Sequence, residues 1–90
     1  MLVSLVKIDK NRELFYLKEK LVNSEDVSTV EPSLEFKQKL KEGLLPKDLS
    51  PHHEFSVIVT KSGEKFTVVG SCKMVSEKLG KKKDKMLLFD

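Results

Sequence analysis

The sequence predicts an α+β fold built on a small, predominantly antiparallel sheet of three to five strands with two short helices. Residues 55–69 alternate apolar and polar side chains about a break containing Gly63, which is the pattern of a β-hairpin. Residues 2–8, Leu2-Val3-Ser4-Leu5-Val6-Lys7-Ile8, form an apolar run that is partly β-branched and partly alternating. Two further segments follow a serine able to cap a helix and set apolar residues on one side.

The first strand is expected over Leu2 to Ile8, ending in the turn-compatible cluster Asp9-Lys10-Asn11-Arg12. Residues 13–22 carry two periods at once. Leu14, Leu17 and Leu21 fit a helix, whereas Phe15 and Leu17 alternate with Tyr16 and Lys18 as in a strand. The short polar turn and the Phe15-Tyr16 pair favour a strand over Leu14 to Leu21, paired with the first.

Residues 23–31 are polar, with only Val27 and Val30 apolar, and Pro32 turns Glu31 away from helical angles, so a connecting loop is expected there. Ser33 then caps a helix over Leu34 to Glu42. Glu35 lies at its positive end, Lys37, Lys39 and Lys41 lie further towards the negative end, and Phe36 and Leu40 form its apolar stripe. Gly43 stops the helix, and Pro46 and Pro51 keep the following loop irregular, with Leu45 and Leu49 covering the edge of the core.

The hairpin strands are expected over Phe55 to Thr60 and Lys65 to Val69, and Gly63 supplies the positive φ that a tight turn or a following bulge requires. Ser71 caps a second helix over Cys72 to Leu79, with Val75 and Leu79 on its buried side and Gly80 as its stop. Both helices are expected to cover one face of the sheet. The expected core is Val3, Leu5, Leu17, Phe36, Leu40, Val57, Val59, Phe66, Val68, Val75 and Leu79.

Ninety residues suit one domain, and a chain of this size buries only about 60 to 65% of its unfolded surface, which leaves little room for a deep active-site cavity. With 39% hydrophobic and 34% charged residues the composition departs from that of disordered chains. Residues 1–80 are expected to form the domain, with residues 81–90 as a basic linker and apolar C-terminal tail, of which Met86 to Asp90 either returns as a strand on the sheet edge or serves as an exposed anchor for a partner. The short apolar start carries Lys7 and lacks a cleavage-site pattern, and no apolar run approaches the length of a membrane span. A soluble, cytoplasmic protein without membrane contact is expected.

Chemistry-bearing constellations are sparse. The four glycines are isolated and each is explained by a turn or an element end, so no phosphate-binding loop is present. No serine sits in a nucleophile-elbow pattern with triad partners. His52, His53 and Glu54 form the one cluster of metal-ligand or acid-base character, and two histidines with a distant cysteine fall short of a supported zinc site. Cys72 has no disulfide partner within the chain and reads first as a small buried hydrophobe, with a reactive thiol at the helix start as the sharper alternative. No catalytic residue, metal or cofactor is expected.

The net charge of +3 is uneven. Residues 46–90 hold nine basic and six acidic side chains, against eight of each in residues 1–45. Arg12 is the only arginine, which disfavours reading of base edges through guanidinium forks. Between residues 61 and 85 eight lysines face three carboxylates, and the apolar run Met86-Leu87-Leu88-Phe89 follows.

The expected function is therefore a non-catalytic protein-interaction module that binds and modulates another protein. Lys61, Lys65, Lys81, Lys82, Lys83 and Lys85 would steer it to an acidic surface, and Met86, Leu87, Leu88 and Phe89 would anchor it. Exchange of that tail between two copies would make a homodimer. A hairpin followed by a short helix resembles small bacterial and phage regulatory domains in general, with no motif that assigns a family. The alternative is nonspecific nucleic-acid binding through a C-terminal lysine-rich face that adds Lys73 and Lys78.

Overall fold

The computed structural model describes residues 1–80. Its elements, in chain order, are β1 (Leu2–Asn11), β2 (Leu14–Asn23), a single 3₁₀ turn (Ser24–Asp26), β3 (Val27–Pro32), α1 (Leu34–Lys41), β4 (Phe55–Thr60), β5 (Lys65–Val69) and α2 (Cys72–Lys78). All four strand pairings are antiparallel, and the five-stranded sheet has the order β2-β1-β5-β4-β3. The mixed α+β class and both hairpins follow the expectation from sequence.

The β1–β2 hairpin is longer than predicted. Asp9, Lys10 and Asn11 continue β1 rather than forming the turn, because the loop is only Arg12 and Glu13, with Asn11 opposite Leu14. Arg12 takes φ +59, the single positive φ at a non-glycine among the described residues, as one central position of a mirror-image two-residue turn demands. The polar segment after β2 is not a loop. Its second half is β3, and Pro32 is tolerated because it closes an edge strand, where a missing N–H costs no sheet hydrogen bond.

One consequence of this order governs the shape. β2 and β3 are the two edges of the sheet, about 19 Å apart if five strands lay flat. Yet only Ser24–Asp26 separates them in sequence, a link that spans at most about 14 Å. The sheet must coil until its edges approach. Val22 and Val27, at the ends of that link, accordingly fall in one buried cluster with Leu5, Ile58, Phe66 and Val68. The backbone N–H of Lys61 donates to Asp26 O at 2.7 Å, tying the link to the β4–β5 turn.

Strand registers assign side chains to two faces. Leu5, Phe66, Val68 and Ile58 share the concave face, where Val75 of α2 and Leu79, its C-cap, pack onto them. Ile8, Leu17, Val69 and Phe55 share the opposite face, under Phe36 and Leu40 of α1 and Leu45 and Leu49 of the following loop. The helices thus lie on opposite faces, not on one as predicted. In consequence β4 is covered on both sides, and Phe55, Ser56, Ile58 and Thr60 are all buried while Val57 and Val59 are only partly so.

The core therefore shifts from the predicted Val57 and Val59 to Ile58 and Phe55, and it gains Ile8, Val22, Val27 and Leu45. Ser56 is fully buried on the inner face and is satisfied by donating to Gly70 O at 2.8 Å. Gly70 itself takes φ +132, and a Cβ there would stand 3.2 Å from Val75 Cγ2, so the β5–α2 junction needs glycine. Ser33 and Ser71 are the caps predicted, accepting from the N–H groups of Phe36 and Met74.

Because Ile58 is 0% exposed and touches the interior cluster, Ile58→Ala should cost about 3 to 4 kcal/mol. Val57→Ala, one residue away on the less covered face, should cost under about 1.5 kcal/mol. Urea denaturation of both variants checks the assignment of faces, and equal losses would contradict it.

Candidate interaction surface

β2 is ten residues long, contains neither proline nor a bulge, and among the described residues no strand pairs with its outer edge. Which backbone groups point outward follows from the ladder. Ser24 N–H donates to Met1 O at 2.9 Å, continuing the pairing of β2 with β1 by one residue. In an antiparallel ladder hydrogen-bonded pairs alternate, so Leu14, Tyr16, Lys18, Lys20 and Val22 bond to β1. The N–H and C=O groups of Phe15, Leu17, Glu19 and Leu21 then project to the free side.

The side chains along this edge are mixed in character. Leu14, Tyr16 and Leu21 are exposed, Leu14 by 77% and Leu21 by 60%. Phe15 and Leu17 are half-buried against α1, where Phe15 meets Phe36 edge-on at 5.7 Å. Lysines flank the strand on both faces. On the inner face Lys7 and Lys20 hold their ammonium groups 5.8 and 5.1 Å from the Phe66 ring centre, and Lys18 stands beside them, exposed. On the outer face Lys10 and Lys39 lie 5.3 and 5.7 Å from the Phe15 ring centre. Such contacts let a lysine cover an aromatic face with its stem while its charge stays in water.

Carboxylates answer only part of this charge. Lys7 pairs with Asp9, Lys20 with Glu64 across the concave face, and Lys39 with Glu35, all at 3.2 to 3.7 Å. Glu19 accepts a hydrogen bond from the Ser4 hydroxyl at 2.6 Å. Lys10, Arg12 and Lys18 have no salt-bridge partner among the described residues.

Among the described residues, Lys61, Lys65, Lys73 and Lys78 are divided between the β4–β5 turn, β5 and α2. Lys61 sits in the β4–β5 turn, whose geometry is fixed by Thr60: its Oγ1 accepts from Glu64 N–H at 2.9 Å and its carbonyl from Gly63 N–H at 3.0 Å. Lys65 lies opposite Val59, on the face that α1 covers in part. Lys73 and Lys78 stand on the exposed side of α2, on the other face. Lys81, Lys82, Lys83, Lys85, Met86, Leu87, Leu88 and Phe89 lie outside the described residues. The four phenylalanines among the described residues, Phe15, Phe36, Phe55 and Phe66, are buried or half-buried, so the aromatic exposed on the sheet is Tyr16.

The histidine pair is structural in its contacts. His53 Nδ1 accepts from Ser50 N–H at 2.8 Å, and Lys37 Nζ donates to the carbonyls of Pro51 and His53, fastening this loop to α1. His52 and Glu54 face solvent. Among the described residues no group of three histidine, cysteine or carboxylate side chains is arranged to hold a metal, and no helix is long and apolar enough to cross a membrane. Cys72 is half-buried, with Sγ 3.5 Å from the Ser56 hydroxyl.

No protein-family model matches the chain, and neither a curated protein nor a solved structure does.

Packed against Ser56 and partly shielded, the Cys72 thiol should be alkylated by iodoacetamide at least about ten-fold more slowly in the native protein than in denaturant. Native alkylation faster than that of the unfolded chain would instead mark an activated thiol.

Proposed function

We propose that this protein is a non-catalytic interaction module of the cytoplasm that binds and modulates another protein through contacts with an acidic surface. The observation that supports this most is the open edge of β2, ten residues long and bordered on both faces by lysines. Exposed edges of this length are pairing templates that proteins otherwise shorten, bend or cover. Lys61, Lys65 and residues 81–89 extend the proposal as further contacts, and residues 86–89 as its apolar anchor.

Nucleic-acid binding is the weaker reading. Lys61, Lys65, Lys73 and Lys78 are distributed over a turn and both faces of the sheet, which does not make a track for a phosphate backbone. Stacking of bases would rest on Tyr16 among the exposed sheet residues.

Affinity purification of the tagged full chain, with nuclease treatment and a salt series, tests the proposal. The expected result is one protein retained in near-stoichiometric amount after nuclease treatment and weakened only moderately by salt. Co-purification of nucleic acid that is lost steeply as salt rises would overturn it. Deleting residues 86–90 should reduce retention if that segment is the anchor.

A further inference from the structure

The geometry points to the occupant of the β2 edge: an extended peptide segment of the partner, added as a sixth strand, in which acidic and apolar residues alternate. This rests on the interaction-module reading and specifies its binding mode. Strand addition needs outward-facing backbone groups at every second residue, and Phe15, Leu17, Glu19 and Leu21 supply them over an unbulged stretch. The preference for alternation comes from the two faces that an added strand would meet.

On the inner face, its side chains would stand beside Tyr16, Lys18 and Lys20, with Lys7 one strand further in. Lys18 has no salt-bridge partner among the described residues, so carboxylates on this side of the added strand meet uncompensated charge. On the outer face the neighbours are Phe15, Leu17 and Leu21. Leu21 is 60% exposed, and apolar side chains on this side would cover it and extend the cluster under α1. Lys10 and Lys39 border that apolar strip, and Glu19 interrupts it. The pattern that fits is apolar residues outward and acidic residues inward.

A second copy of the chain fits poorly. Two β2 edges related by a two-fold axis pair residues of like parity, because that axis runs perpendicular to the sheet and preserves its faces. The two registers with the greatest overlap set Lys18 against Lys18, or Glu19 against Glu19 with Lys18 against Lys20. Like charges directly opposite destabilise a pair, so the edge resists its own copy while accepting an acidic strand.

The probe is a short capped peptide of alternating valine and glutamate, titrated into the full chain and followed by amide chemical shifts and hydrogen exchange. Its control is the same composition with valines and glutamates in separate blocks. The alternating peptide should bind with a dissociation constant on the order of 100 µM and slow the exchange of the Phe15, Leu17, Glu19 and Leu21 amides. The block peptide should bind at least about ten-fold more weakly.

Glu19→Pro removes one outward N–H that the fold does not use and should abolish binding while leaving the chain folded. Lys18→Glu, which leaves every backbone donor in place, should weaken binding at least about five-fold. No binding, equal binding by Glu19→Pro, or shifts centred on Lys61 and Lys65 would overturn the assignment. Protection of the same four amides in the free chain would also overturn it. Concentration-dependent protection would identify a second copy as the occupant, and concentration-independent protection would identify residues 81–90. In each of those cases the interaction-module reading still stands or falls on the purification experiment.

Discussion

A link of three residues between the two edge strands sets the geometry of this molecule. Ser24–Asp26 must join β2 to β3, and three other strands lie between them in the sheet. A flat or gently twisted sheet cannot satisfy that connection. Coiling the sheet does so, and it turns one face inward around Leu5, Val22, Val27, Ile58, Phe66 and Val68. The cost of bending is met by this burial, since each of these side chains removed from water contributes on the order of 1.5 to 3 kcal/mol. The Lys20–Glu64 ion pair crosses the concave face from β2 to the β4–β5 turn.

Two features follow from the coil. A curled sheet cannot bury both faces against one helical layer, so α2 packs into the concave side and α1 covers the convex side. β4 is thereby enclosed from both directions. β2 remains the outermost strand, its outer edge unpaired among the described residues, and Phe15 is shielded by the stems of Lys10 and Lys39. The proposed recruitment of a strand rests on this edge being long, regular and bordered by lysines on both faces.

The parts of this structure legible in the sequence are those decided locally. The β4–β5 hairpin shows its alternation and its glycine, and Ser33 and Ser71 announce the two helices whose N-termini they cap. β3 was hidden because its residues are mostly polar: it is an edge strand, with Val27 and Val30 alone reaching the core. The face of β4 that carries the deepest burial was hidden for a different reason. Phe55, Val57 and Val59 look more hydrophobic as a set than Ser56, Ile58 and Thr60, yet the serine and threonine are buried because hydrogen bonds to Gly70 and Glu64 satisfy them. Opposite placement of the helices depends on strand order, which local periodicity does not encode. The same holds for the candidate surface. Sequence drew attention to Lys61, Lys65 and the lysines after Gly80, while the accessibility of the β2 edge emerges only once β2 is known to be the outermost strand.

Whether the sheet coils so that its edges share one interior is the claim on which the rest depends, and a double-mutant cycle between Val22 and Val27 tests it most directly. Each valine-to-alanine change should cost about 1 to 2.5 kcal/mol, and because both line the same cluster the double variant should depart from additivity by at least about 0.5 kcal/mol. Losses that add to within about 0.3 kcal/mol would place the two edges in separate environments and contradict the coiled sheet.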